Sequence, residues 1–243
     1  MAIDSNELLD QASAGIGRNR RERLFLWGAC AALLVVLVGF ARTYYLKAFF
    51  DNRSLTGLLQ VHGLLMTAWF ATFLAQVLLV ETRHVRAHRK LGVFGVSIAA
   101  LILVIATLTA IVGAKAGHTP GPPPLVFLAI PLGDMVVFAT LVTLGVCYRK
   151  RGDFHKRYML MASLGILTAP IARIPVLAAG GLPLFFAITD LIIIGFVLSD
   201  VVVKRRLHPA FAVGLAVVLG SQVARFLIAG TAAWLAFAGW LTG

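Results

Sequence analysis

The sequence predicts an all-α fold: an integral membrane bundle of seven transmembrane helices, N-terminus cytoplasmic and C-terminus extracytoplasmic. Three observations carry this. The 243 residues are 60% hydrophobic and 13% charged, with a mean hydropathy of +0.91, whereas a soluble domain is about half apolar and about a quarter charged. The apolar residues number about 146, close to the ~140 that seven spans of ~20 residues require. They also fall into seven runs separated by short basic clusters. An ordinary soluble globule, a disordered chain and a disulfide scaffold are excluded.

Residues 1–23 are polar, with Asp4, Glu7 and Asp10 followed by Arg18, Arg20, Arg21 and Arg23. They read as a cytoplasmic N-terminal segment, and residues 24–243 as a single transmembrane domain. The first run, 24–46, is too long for a signal h-region and no small-residue cleavage site follows it, so it reads as an uncleaved span. The second and third, 57–81 and 91–114, flank a basic turn. The fourth, 125–147, follows GHTPGPPP at 117–124, a stiff extended connection. The fifth, 158–180, contains the run TAPIARIP. The sixth is 183–203. The seventh, 209–232, is able to continue toward residue 241, where Trp234 and Trp240 suit an interfacial end. Short connections predict antiparallel neighbours.

Lysine and arginine set the orientation. One side collects the N-terminal four, Arg83, Arg86, Arg89, Lys90, Arg149, Lys150, Arg151, Lys156, Arg157, Lys204, Arg205 and Arg206, sixteen in all. The other has Arg42, Lys47, Arg53 and Lys115. The excess marks the cytoplasmic face. This distribution also explains the formal net charge of +12 without nucleic acid, because the basic clusters lack the interleaved aromatics of a base-stacking platform. Cys30 and Cys147 lie in apolar runs, so neither a disulfide framework nor a thiolate metal site is expected.

His62, Asp134, Arg173, Asp190 and Arg225 stand inside the apolar runs. A charge near a helix centre costs about 2.5–3.5 kcal/mol on insertion scales, so each needs a partner or water. At ~1.5 Å per residue His62 lies roughly 8 Å from the outer end, Arg173 and Asp190 roughly 10 Å, and Asp134 roughly 14 Å. Arg225, sixteen residues into the last run, is also in the outer half. The five converge on one layer. Pro131 precedes Asp134, while Pro170 and Pro175 bracket Arg173. Kinks there free backbone carbonyls, which lipid tolerates only where the backbone is buried or lines a watery cavity. Gln222 and Thr189 are placed to add hydrogen bonds. The layer reads as an outward-facing ligand or proton pocket, or as two neutralising ion pairs that only lock the bundle.

His84 and His88 occupy the second connection, His155 opens the fifth run, and His208 precedes Pro209 at the last. Histidine among arginines at a membrane surface is commonly an interfacial anchor. His88 and His155, however, open spans in related patterns, HRKLG at 88–92 and HKRYM at 155–159. With a histidine early in the second span, these patterns resemble uncharacterised bacterial membrane-protein families with b-type-cytochrome-like helix bundles, over roughly residues 60–175. The resemblance implies a multi-pass protein of the bacterial cytoplasmic membrane. Bis-imidazole ligation of haem b needs two histidines from different helices at one depth. His88 and His155 meet that condition, with His84 a substitute for either. The half-membrane histidine pair on one span that di-haem cytochromes show is missing, since His62 and His84 are ~33 Å apart along one helix.

Three functions follow as expectations: a redox-linked protein resembling b-type cytochromes, with a quinone or other redox partner and no metal beyond haem iron; a proton-coupled transporter of a small solute using the polar layer; or a non-catalytic accessory or assembly subunit. Gly92, Gly95 and Ala99 form a small-residue face suited to close helix packing within or between chains, and the oligomeric state stays open.

Overall fold

Lipid offers the backbone no hydrogen-bonding partner, so a spanning chain must satisfy its own amides within helices. The computed structural model describes residues 5–50, 54–119 and 121–243, with side chains described from Arg23 onward. Among these every element is helical. Arg53 and the side chains of Asp4, Glu7, Asp10, Arg18, Arg20 and Arg21 lie outside the described residues. Helix α1 is Ser5–Phe40 and continues as a π-helical turn, Ala41–Tyr45; α2 is Gly57–Glu81, α3 Val85–Lys115, α4 Pro124–Phe127 and α5 Ala129–Cys147. Then come α6, Gly152–Leu164, α7, Thr168–Ile171, a 3-10 turn Pro175–Gly180, α8, Gly181–Lys204, α9, Pro209–Ile228, and α10, Ala232–Thr242.

Six segments of the described chain are long and apolar enough to cross a bilayer: Arg23–Tyr45, Gly57–Glu81, Val85–Lys115, Pro124–Cys147, Pro175–Lys204 and Pro209–Ile228. Their outer faces are as apolar as the core. Leu191 is 67% and Leu227 71% exposed, which only a hydrocarbon solvent leaves without cost. The chain is therefore a multi-pass membrane protein in contact with the lipid bilayer.

The fifth run, 158–180, departs most from a simple span. It is α6, a turn, the single turn α7, a second turn and a 3-10 turn. Pro170 and Pro175 lack the amides that would bond the carbonyls four residues back, which explains the interruptions. Such a backbone must be enclosed by protein or line water; residues 165–168, 170 and 171 are buried, while the 3-10 turn Pro175–Gly180 has no buried residue. Arg157, Leu160, Met161, Ala162, Ser163 and Leu164 are all 0% exposed. Consecutive residues cover every side of a helix, so the second half of α6 is buried all round, and α6 packs among α1, α5, α8 and α9. Pro131 has a similar effect on the fourth run, which divides into α4 and α5 at Leu128. The seventh run stops at Ile228, and Thr231 restarts the chain as α10 by accepting the Trp234 amide at 3.2 Å. The Trp234 indole donates to the Leu125 carbonyl at 2.8 Å, which holds α10 against α4.

Contacts gather the basic segments at one end. His88 and His155 bring the starts of α3 and α6 together; Lys204 reaches Asp153 at 3.9 Å; His208 packs on Phe154; and the Lys156 ammonium lies 4.7 Å over Phe25 of α1. At the other end Gly39 lets α1 touch the Pro170 backbone, and Arg173 lies over Phe40. The Gly92/Gly95/Ala99 face is used within the chain. Thr72 of α2 sits in van der Waals contact with the Gly95 site, and Ala99 is 2% exposed.

Candidate functional site

His88 and His155 meet at the basic end. Their ring centres are 6.2 Å apart and their planes nearly perpendicular, at 86°. Two imidazole nitrogens bound to one metal ion each lie about 2.0–2.1 Å from it, which sets the ring centres roughly 6 Å apart. The His155 Nδ1–H donates to the Gly145 carbonyl at 2.7 Å. In the neutral ring that leaves the Nε2 lone pair free, the arrangement a metal-ligating histidine adopts. Gly145 also admits Met159, whose sulfur an added Cβ would crowd. His88 Nδ1 is buried without a hydrogen bond. Two histidine rings from different helices side by side are the residue types that haem ligation needs. His84 is not in this pair: it lies on the exposed turn between α2 and α3, its Nδ1 2.9 Å from Thr82 Oγ1.

No family model, curated protein or solved structure matches the chain. Its chemistry therefore rests on its own residues.

The five ionisable residues inside the apolar runs divide into two groups. Arg225 Nη1 donates to Asp134 Oδ1 at 2.7 Å, and its Nε and Nη2 reach Ser221 Oγ at 3.2 and 3.1 Å. One turn earlier, Gln222 Nε2 donates to Asp190 Oδ1 at 2.8 Å. These contacts tie α9 to α5 and α8. Thr189 bonds Thr168 at 3.2 Å, fastening α8 to α7. Arg173 and His62 take no part in this network. Arg173 Nη1 donates to the Ala169 carbonyl at 2.9 Å, and its guanidinium lies 4.8 Å over the Phe40 ring. Of the two neutralising pairs a structural lock would need, the structure makes one.

A second polar core lies near the basic end. Arg157, fully buried, donates from Nε to Asp200 Oδ2 at 3.2 Å and from Nη2 to Asp200 Oδ1. Its Nη1 donates to the Asp153 carbonyl at 2.7 Å, and Phe211 lies 5.4 Å from the guanidinium. Sequence reasoning took Arg157 for one more interfacial cation and passed over Asp200. The available signal was Asp200 itself, an acid inside the apolar run 183–203.

His208 caps α9. Its Nδ1 accepts the Ala210 amide at 3.1 Å, a role that requires an unprotonated nitrogen. Burial, and then the nearby Arg157 and Lys204 cations, lower its pKa to about 4, against the weaker pull of Asp153 and Asp200. In the unfolded chain a histidine titrates near 6.5. The unfolded state thus binds more protons between these values, and stability present above pH 6.5 is lost as pH falls toward 4. Thermal melts in detergent at pH 7.5, 5.5 and 4.5 should show that decline. His208→Asn, which caps without titrating, should flatten it, and an unchanged slope in that variant would discard the assignment.

Proposed function

We propose that this chain is a redox-linked, b-type-cytochrome-like membrane protein in which His88 and His155 hold a haem iron near the cytoplasmic end. The observation that carries the reading is the 6.2 Å, near-perpendicular approach of those two rings, from the two motifs the sequence singles out. The Gly145 carbonyl fixes the His155 tautomer. Arg89 and Lys90, directly after His88, supply positive charge for propionates. Haem b, when bound, supplies one-electron redox chemistry.

A seventh crossing belongs to the same reading. Lys204 and Asp153 lie 3.9 Å apart at the basic end, while Gly39 and Pro170 touch at the other. These contacts support counting the broken segment as a crossing beside the six long ones. With the basic end cytoplasmic, the N-terminus is inside and the C-terminus outside, in a bacterial cytoplasmic membrane. The pairs Asp134–Arg225 and Asp190–Gln222 fasten the outer half, and His62 and Arg173 face an outward crevice where a quinone or other redox partner has access.

Purified protein should show a Soret band that shifts on dithionite reduction, and His88→Ala and His155→Ala should each abolish it while His84→Ala keeps it. A protein that stays colourless after haemin reconstitution would overturn the reading. The interrupted segment around Pro170–Pro175 then favours a proton-coupled small-solute transporter, since unwound helices at membrane depth form such binding sites.

A further inference from the structure

An arginine at membrane depth needs an anion or water, and the two buried ones, Arg157 and Arg225, each have an anion. Arg157 is held by Asp200 and Asp153, and Arg225 by Asp134. Arg173 has no carboxylate within 4.0 Å among the described residues. Asp190, the acid left over, is bonded to Gln222. Arg173 Nη1 is used by the Ala169 carbonyl and its face by Phe40, so Nε and Nη2 remain as an unused fork of donors, the geometry that grips a carboxylate or phosphate with two parallel bonds.

The surroundings form a receptacle for such a group. Arg173 sits deep among protein atoms, yet its side chain is exposed, so it lines an open crevice. His62 of α2 is half-buried there within reach of the Arg173 charge, and it makes no hydrogen bond of its own among the described residues. One wall is the π-helical turn Ala41–Tyr45, a conformation that recurs at functional sites. It is pinned to α2 by Tyr44 Oη donating to the Gln60 carbonyl at 3.1 Å and by Tyr45 Oη at 2.7 Å from Thr67 Oγ1. Within that turn, Thr43 Oγ1 is buried and has no hydrogen-bond partner.

We infer that Arg173 and His62 bind an oxyanion group, a carboxylate or phosphate, that enters from the end opposite the basic loops. The inference names the ligand class of the outward crevice and does not depend on haem. The same chemistry comes from a free anion or from a phospholipid headgroup.

Thermal melts in dodecyl maltoside, which carries no anion, separate the two sources. Inorganic phosphate is titrated against chloride at fixed ionic strength, and in a parallel arm dioleoylphosphatidylglycerol is added to the micelles. A saturable rise of about 3–6 °C at tenfold saturation is expected in at least one arm. Phosphate alone raising Tm assigns a free anion; phosphatidylglycerol alone assigns a headgroup. Arg173→Gln should abolish the rise and Arg173→Lys should keep part of it. If Arg173→Gln does not fold, His62→Ala should weaken the apparent affinity instead. No rise in either arm, or a rise undiminished in the folded Arg173 or His62 variants, overturns the inference. The Soret band belongs to the opposite end and is unaffected either way.

Discussion

Replacing Asp200 by alanine is expected to lower the stability of the detergent-solubilised protein by about 3–5 kcal/mol, because it strands a fully buried guanidinium without its counter-charge. For a chain of this size that corresponds to a fall in Tm of roughly 6–20 °C. The Asp153 carbonyl and Oδ1, at 2.7 and 3.4 Å from Arg157 Nη1, compensate only in part, since Asp153 is exposed. The double variant Arg157→Leu/Asp200→Leu should recover most of the loss, since well-packed apolar groups replace buried ion pairs at little net cost. The neighbouring Phe25 and Phe211 rings already line the space. Chemical denaturation of the wild type, Asp200→Ala and the double variant closes the comparison. A single variant within 1 kcal/mol of wild type would mean that the pair is not buried as described.

That ion pair also shows where a sequence stops being legible. Apolar runs report spans because lipid forces every backbone amide into a helix, and prolines report interruptions because the lost hydrogen bonds are local. Pro170 and Pro175 therefore announced the broken segment, but its central position among α1, α5, α8 and α9 depends on tertiary packing. Depth is readable at 1.5 Å per residue; azimuth is not. Asp134, Asp190, Arg173 and Arg225 could be placed in one layer from the sequence. Which arginine faces which aspartate depends on how each helix is rotated, and the structure joins only Arg225 with Asp134. Arg157 was hidden differently. In HKRYM it sits among genuine surface cations, and one helical turn decides whether such a residue meets headgroups or a buried carboxylate. His88 and His155 could be matched in depth because both open helices at the same end, whereas the meeting of their rings depends on packing.

Gly39→Ala should be the most damaging single-carbon change in the half of the bundle away from the basic loops. A Cβ at residue 39 would fall on the backbone carbonyl oxygen, carbonyl carbon and Cα of Pro170. A clash with a flexible side chain is relieved by a rotamer change. This one requires the interrupted segment to move as a unit, and proline leaves that backbone little freedom. Overpacking of this kind costs about 1–3 kcal/mol and occasionally more, so Tm should fall by roughly 2–12 °C. Gly57→Ala is the matched control. An added Cβ there meets nothing within 4 Å, and alanine suits a helix better than glycine, so its Tm should hold or rise slightly. The displaced segment carries Arg173, so the anion-dependent Tm rise should weaken in Gly39→Ala. The Soret band, set by residues at the basic end, should stay. Equal, silent behaviour of the two glycine variants would place α1 farther from Pro170 than described and remove one wall of the crevice.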